Sequence, residues 1–509
     1  MTSLQWIYFI LIIQVIHFLG TYKLYQRAGR KAWEAIVPFY NAVVLMKIIN
    51  RPSWWLILLM IPVVNLLMFP VIWVETARSF GHNSTKDTWI AILSLGFYNF
   101  YLSYFTASKY KEKRSLNPGT EVGEWISSIV FAIVAATIVH TYFFQPFTIP
   151  TSSLEKSLLI GDYLFVSKIH YGARTPMTPI AAPMFHDTLP LIKTRSYLKK
   201  PQLPYFRIPG FEKIERNDIV VFNWPADTVE QFYRRPEYKV IKPVDKKSNY
   251  VKRAVGIPGD SLEVRDGYVF INGKQNQLPN RSKLQFYYEI DTDGQQLSPY
   301  AIRNRYHVRE GGTSNGKYIL NLDDENLALV EENPLVKSVR RRIQPKGEGE
   351  SGVYPNGSLG WNNDNYGPIL IPEAGMTVQL NKKNIALYAK VIGDYEGHDL
   401  QVNKGQVKID GSIAMEYTFE QDYYWMMGDN RQASEDSRYW GFVPFDHVVG
   451  KPVFIFLSID ANGQGINKIR WDRVFTTVSG EGERKSYLPH FLIALVLYYG
   501  YTKYRKRKK

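Results

Sequence analysis

Three segments of this 509-residue chain hold side chains able to do covalent chemistry. The first is rich in hydroxyls: Phe147-Thr148-Ile149-Pro150-Thr151-Ser152-Ser153-Leu154-Glu155-Lys156-Ser157-Leu158-Leu159-Ile160-Gly161-Asp162. The second sets a lysine among apolar residues: Tyr250-Val251-Lys252-Arg253-Ala254-Val255-Gly256-Ile257-Pro258-Gly259-Asp260. The third mixes carboxylates, arginines and serines: Met427-Gly428-Asp429-Asn430-Arg431-Gln432-Ala433-Ser434-Glu435-Asp436-Ser437-Arg438-Tyr439-Trp440-Gly441. A serine hydroxyl is a weak nucleophile and needs a base beside it. A lysine serves as a base only when neutral, and its reference pKa of about 10.4 forbids that in water. Burial in apolar surroundings can lower the value by about 3–5 units. Val251, Ala254 and Val255 beside Lys252 suit such a setting. Each segment alone also has an ordinary reading: a turn or cap, a solvated strand charge, and a polar turn with surface ion pairs.

Several other chemistries are excluded. The chain has no cysteine, so it holds no disulfide, thiolate zinc site, iron–sulfur cluster or cysteine nucleophile. It has no G-x-x-x-x-G-K-[ST] loop, no H-E-x-x-H and no G-x-S-x-G elbow. The nine histidines are scattered without metal-ligand spacing, and neither a metal nor a cofactor is expected. A Ser–His–Asp triad survives on counting alone, but none of His170, His186, His307, His398 and His447 sits in a motif that suggests one.

The elements that must position these segments divide between membrane and strand. Five apolar stretches read as transmembrane helices: 4–19, 54–74, 89–105, 125–144 and one beginning at 487. Trp54, Trp55, Trp73, Trp89, Trp125, Tyr498 and Tyr499 lie near their ends, as interfacial anchors do. The first stretch has no Lys or Arg ahead of it and reads as a retained span rather than a signal peptide. Loops 20–53 and 106–124 are basic, as is the tail 503–509, and all three are expected in the cytoplasm. Alternation then puts the N-terminus, loop 75–88 and residues 145–486 outside. The net charge of +15 is concentrated in the basic loops and tail, so the near-neutral middle region carries no nucleic-acid footprint. Residues 145–486 alternate short β-rich runs with turn clusters. Residues 261–264 and 268–272 flank Asp266-Gly267 and predict a β-hairpin. The expected organisation is a membrane domain at 1–144, a catalytic β domain at 145–274 and 421–486, an inserted β-rich lobe at 275–420, and a transmembrane helix with a basic tail at 487–509. Residues 172–210 read as a loop insertion, and 369–392 as strand within the lobe.

The three segments, with Arg216-Asn217-Asp218-Ile219-Val220-Val221-Phe222, resemble the four sequence boxes of bacterial type I signal peptidases, membrane-anchored Ser–Lys proteases. The first box departs from the family pattern Ser-x-Ser-Met-x-Pro-Thr-Leu: Thr151 keeps the hydroxyl, Leu154 the apolar side chain, and Lys156 replaces the proline. The resemblance implies Ser153 as nucleophile, with Ser152 as the fallback, and Lys252 as general base. It implies that Ser434 orients the lysine and that the Ser153 N–H and Thr151 hydroxyl form the oxyanion hole. It implies supporting ion pairs Asp436–Arg438 and Arg253–Asp429, for which surface pairing of little consequence stays open. Phe147, Ile149, Val221 and Val251 align with positions lining the substrate pockets, with ordinary β core as the alternative. The implied substrates are preproteins cut after small residues in the A-x-A pattern. The implied fold is membrane-anchored and mainly β, multi-pass in a bacterial inner membrane, with the catalytic domain on the periplasmic side. The lipid bilayer is an expected partner, and the export machinery a candidate one. A self-cleaving Ser–Lys relative of the SOS repressor type would be soluble with a DNA-binding domain, which this chain is not. A catalytically inactive membrane scaffold or chaperone of the same family remains the alternative function.

Overall fold

The computed structural model describes residues 3–117, 120–229, 240–355, 359–403 and 405–507; Lys508 and Lys509 of the basic tail lie outside the described residues. Its contacts divide the chain into two units: residues 1–143, 174–208 and 241–246, and residues 144–173, 209–240 and 247–509.

The first unit is helical: α1 (Ser3–Arg27), α2 (Tyr40–Ile48), α3 (Trp55–Met60), α4 (Val64–Ser79), α5 (Thr85–Leu93), α6 (Tyr98–Phe105) and α7 (Glu121–Ile138). Among the described residues, two helices are long and apolar enough to cross a membrane, Leu4–Arg27 and Glu121–Phe143. The expected spans at 54–74 and 89–105 are not single helices. Pro62 bars Ile61 from helical backbone, and Ile61 turns extended (ψ 117°), which separates α3 from α4. Leu95 and Gly96, both at positive φ, separate α5 from α6. At 1.5 Å per residue, α3, α5 and α6 with 6, 9 and 8 residues fall far short of the roughly 30 Å hydrocarbon core. The start of segment 75–88, expected opposite the two basic loops, is in contact with both of them. Glu75 is bonded by Arg51 Nε at 2.9 Å and Arg114 Nη2 at 2.5 Å, and the Lys111 N–H donates to the Ser79 carbonyl at 2.8 Å. Both basic loops therefore meet the C-terminal end of α4. Segment 174–208, which the sequence assigns to the catalytic domain as a loop, belongs to this helical unit: its Ala181 and Tyr197 bury against Val63.

The second unit is mostly strand. Its first six strands are β1 (Phe144–Thr148), β2 (Asp162–Ser167), β3 (Ile219–Asn223), β4 (Asn249–Gly256), β5 (Ser261–Arg265) and β6 (Tyr268–Ile271). Then come β7 (Lys274–Gln275), β8 (Phe286–Asp291), β9 (Gly311–Ser314), β10 (Lys317–Leu322), β11 (Ser338–Arg341) and β12 (Tyr366–Leu370). Five short strands follow, β13 (Thr377–Gln379), β14 (Leu400–Asn403), β15 (Gln406–Ile409), β16 (Ser412–Ile413) and β17 (Glu416–Thr418). The last are β18 (Tyr423–Met427), β19 (Val443–Pro444), β20 (Val448–Ser458) and β21 (Thr476–Thr477). The main sheet has eight strands in the order β1-β2-β20-β3-β4-β18-β19, with β21 on β20. Its paired strands are antiparallel, and β1 ends the sheet. The hairpin forms as the sequence predicts: Arg265 faces Tyr268 across a two-residue turn in which Asp266 and Gly267 both take positive φ.

Part of the region 275–420 joins the catalytic strands. Strand β12 pairs with β5 of the catalytic hairpin, and Gln285 bridges Asn430. A second four-stranded sheet, β11-β8-β10-β9, closes over helix α8 (Asp324–Glu331), whose Asp323 side chain caps its N-terminus. Strand character within 369–392 ends early, because 385–390 form helix α9 (Ile385–Lys390). After the four-residue helix α10 (Ser437–Trp440), the chain ends in α11 (Leu488–Arg507), where Lys503 cuts the apolar run short before the basic last turn. That helix is not one of the two that are long and apolar enough to cross a membrane.

Candidate active site

The hydroxyl-rich segment leaves β1 through Pro150 and an extended Thr151 and enters a one-turn 3-10 helix at Ser152–Leu154. Leu154 and Leu158 are fully buried with Ile149, Leu164 and Ile219, and this apolar anchor fixes the turn. Ser153 is buried, and its carbonyl accepts the Asn430 N–H at 3.1 Å. Thr151 is exposed two residues ahead.

Gly428 brings the third segment against the first. A Cβ at this position would collide with the Ser153 carbonyl oxygen and with Ser434 Oγ, so only glycine lets the two chains approach this closely. The β4–β18 ladder pairs Arg253 with Met427. Lys252 precedes Arg253 on β4, and Gly428 follows Met427 where β18 ends. Lys252 is buried, with its ammonium 5.8 Å from the centre of the Tyr250 ring. It has no hydrogen bond or ion pair among the described residues, and the Ser153 hydroxyl has none either. Ser434 Oγ is buried without a hydrogen-bond partner. Burial pushes the Lys252 pKa down to about 8, against the opposing pull of the Asp436 and Glu435 carboxylates.

Two arginine–carboxylate pairs flank this centre, and both are buried. Arg253 grips Asp429 through Nε at 2.7 Å and Nη2 at 2.6 Å, and its Nη1 donates to the Asn217 carbonyl at 2.7 Å. Ser157 donates to the same carboxylate at 2.5 Å. Burial works against the charged Asp429, but Arg253 and the Ser157 hydroxyl hold its pKa below the usual carboxylate range. Arg438 grips Asp436 at 2.8 and 2.7 Å, and Asp436 also accepts the Gly428 N–H at 3.1 Å. The Arg438–Asp436 pair therefore holds the backbone of the glycine that abuts Ser153.

Phe147, Val221 and Val251 pack together with Val166 and Val449 on one face of the sheet. Val251 also touches the neighbouring cluster containing Ile149 and Leu154. These residues form contiguous apolar clusters, joined by Val251, that reach the Ser153 turn, and Ile149 and Val221 are buried in them. Strand β18 stops at Met427, so residues 249–252 of β4 pair only with β3.

Some residues around the site carry no individual signal in the sequence. Ser152 Oγ donates to the Glu310 carboxylate, a contact across 158 residues of chain. Nothing local marks Glu310. Gly428, Asn430 and Glu435 lie within the third segment, but their neighbours do not distinguish them from ordinary turn residues.

Comparison with known proteins gives the family. A family described as "Signal peptidase, peptidase S26" matches residues 122–321 and 370–457. A family of unknown function, DUF5684, matches residues 33–113. The chain is 24% identical over 379 residues to the signal peptidase I of Haemophilus influenzae, covering 72% of this chain and 79% of that protein. It is 23% identical over 368 residues to the signal peptidase I of Helicobacter pylori, covering 70% and 92%. Over a shorter stretch of 152 residues it is 32% identical to the signal peptidase I of Rickettsia massiliae, covering 30% and 43%. Since the peptidase match takes in more than half of the residues, the chain belongs to the signal peptidase (peptidase S26) family and is a serine endopeptidase.

Proposed function

We propose that this protein removes signal peptides from exported preproteins, cutting after small residues in A-x-A sites with a Ser153–Lys252 dyad. The observation that carries this reading is a lysine buried without an ion pair, next to the strand pairing that leads into the glycine abutting Ser153. Lys252 is buried without an ion pair, and its burial outweighs the pull of Asp436 and Glu435, which favours the neutral amine that can act as base. In the reaction, Lys252 takes the proton from Ser153 Oγ as that oxygen attacks the scissile carbonyl. The proton then passes to the leaving amine, and water releases the acyl group by the same route. Ser434, buried without a partner, donates to or accepts from the lysine and orients it. The Ser153 N–H and Thr151 hydroxyl stabilise the oxyanion. Arg253–Asp429 and Arg438–Asp436 hold the two serine-bearing turns in place. The substrate lies extended against β1, the end strand of the sheet, and residues 249–252, which lack a partner on the β18 side, as in β-augmentation. Phe147, Ile149, Val221 and Val251 receive its small side chains.

The same reading anchors the chain in a bacterial inner membrane through Leu4–Arg27 and Glu121–Phe143, with the second unit on the periplasmic side. The lipid bilayer and the export machinery are its proposed partners. Cleavage of a preprotein bearing an A-x-A site tests the reading, with the full chain in detergent. Ser153→Ala and Lys252→Met abolish cutting, whereas Ser152→Ala keeps it measurable. Thr151→Val lowers kcat by roughly 10²–10³-fold, the usual loss for one oxyanion donor. Cutting lost in Ser152→Ala but retained in Ser153→Ala would move the nucleophile by one residue. A folded parent that cuts nothing would favour the inactive scaffold.

A further inference from the structure

Three side chains of the Ser153 turn reach one short segment far away in the sequence. Ser152 Oγ donates to the Glu310 carboxylate. Glu155 pairs with Arg309 Nε at 3.4 Å, and Lys156 Nζ donates to the His307 carbonyl at 3.2 Å. The residues contacted are 307, 309 and 310, immediately before β9.

Glu310 is also tied to the far side of the turn. Its carboxylate accepts the Tyr287 hydroxyl at 3.4 Å and Asn430 Nδ2 at 3.5 Å. The same Asn430 amide group donates to the Ser152 carbonyl at 3.4 Å, and the Asn430 backbone N–H to the Ser153 carbonyl. Asn321, on β10, fixes Asn430 by donating to its Oδ1 at 2.8 Å. Ser152 and the carbonyl of Ser153 are thus held from both sides, while the Ser153 hydroxyl is left unengaged.

The backbone gives a reason for such a hold. The related pattern has proline where this chain has Lys156, and Lys156 lies at φ 70°. Proline is confined near −65° and cannot adopt this conformation. The turn therefore lacks the covalent restraint of a proline ring and has a left-handed residue in its place. Two of the three contacts come from the variable positions of the pattern, 152 and 155, and the third from Lys156 itself.

We propose that residues 307–310 are a positioning clasp on the nucleophile turn, with Glu310 acting through Ser152 and Asn430 to orient Ser153. The clasp replaces, by side-chain contacts from a distant segment, the rigidity that proline would supply. Glu310 is a positioning residue: it touches Ser152, not the reacting atoms. The inference rests on Ser153 being the nucleophile.

The test uses the full chain in detergent, with preprotein cleavage and backbone amide exchange read by mass spectrometry on the same samples. Glu310→Ala and Ser152→Ala each lower kcat roughly tenfold to a hundredfold with KM unchanged, the cost of a misplaced reacting group. The double variant is no slower than Glu310→Ala alone, because the Ser152 hydroxyl acts through Glu310. Glu310→Gln keeps an acceptor oxygen and recovers most of the rate. Amide exchange within 151–158 speeds up in Glu310→Ala, while β2, β3 and β20 exchange as in the parent. Unchanged exchange in 151–158, or a multiplicative loss in the double variant, overturns the clasp. So does exchange that accelerates throughout the sheet, which would make Glu310 a general stabiliser. Exchange does not depend on turnover. A parent that fails to cut would sink the proposed activity, while the clasp would still be judged on exchange.

Discussion

Lys252 is where burial and charge conflict most directly. Its pKa of about 8 lies below the unfolded value of about 10.4. Between those two values the unfolded chain binds a proton that the folded chain has released, so stability rises with pH across that window. Below about pH 8 the folded protein must hold a buried ammonium, at a cost of about 3 kcal/mol. Lys252→Met is therefore expected to melt higher than the parent at pH 7, with the gap closing towards pH 10.5. Equal melting temperatures at pH 7 would mean that Lys252 is better solvated than the structure indicates. Activity should show the same group from the other side, with kcat/KM rising through about pH 8 as the amine deprotonates. The Glu435 carboxylate raises that pKa, so Glu435→Gln should move the rising limb to lower pH. A limb that stays in place would separate Glu435 from the titration. At this scale the sequence was informative where chemistry and neighbours agreed. Val251, Ala254 and Val255 suited a buried Lys252, and the lysine is buried; the choice of Ser153 over Ser152 rested on the resemblance alone. Glu310 was illegible because its meaning depends on a fold that joins residues 158 positions apart.

Strands and turns carry the next set of constraints. The β5–β6 hairpin was readable because Asp266-Gly267 supplies two residues tolerant of positive φ between alternating apolar runs. Membership of the inserted region was not, because β12 returns to pair with β5 across about a hundred residues, and no local pattern encodes a partner at that distance. The ion pairs show the same limit. The resemblance implied the Asp436–Arg438 pair but left surface pairing open, and only the fold shows both side chains completely buried. Removing one partner of such a pair strands the other, at about 3–5 kcal/mol. Asp436→Asn should lower stability by that amount, read from the denaturant midpoint of the full chain in detergent. It should also loosen Gly428, whose N–H the carboxylate accepts, and so reduce cutting beyond the loss of folded protein. A loss below about 1 kcal/mol would place the pair in the class of exposed ion pairs despite its burial.

For the whole molecule, charge and helix length make different claims about the membrane. Counting apolar stretches gave four N-terminal crossings, and alternation put loop 75–88 opposite loops 20–53 and 106–124. The structure keeps only the first and last of those four as single helices long enough to cross. The breaks at Pro62 and Leu95–Gly96 are what a hydropathy count overlooks. Two crossings have the same parity as four, so the predicted side of the second unit is unchanged, but the predicted side of 75–88 reverses. The hydrogen bonds favour the reversal. Arg51 and Arg114 come from different basic loops, and both bond Glu75 at the end of α4. A hydrogen bond reaches about 3 Å and a bilayer core is about 30 Å thick, so a two-crossing topology is expected to put these groups on one side. Absence of cysteine from all 509 residues makes the question accessible, since one introduced thiol reports alone. In spheroplasts treated with a membrane-impermeant maleimide, Lys86→Cys and Lys113→Cys should stay unlabelled and Ser314→Cys should be labelled. Labelling of Lys86→Cys with protection of Lys113→Cys would restore four crossings and require α3 to α6 to rearrange in lipid. Protection of Ser314→Cys would place the second unit in the cytoplasm, where it could not meet preproteins emerging outside the bilayer.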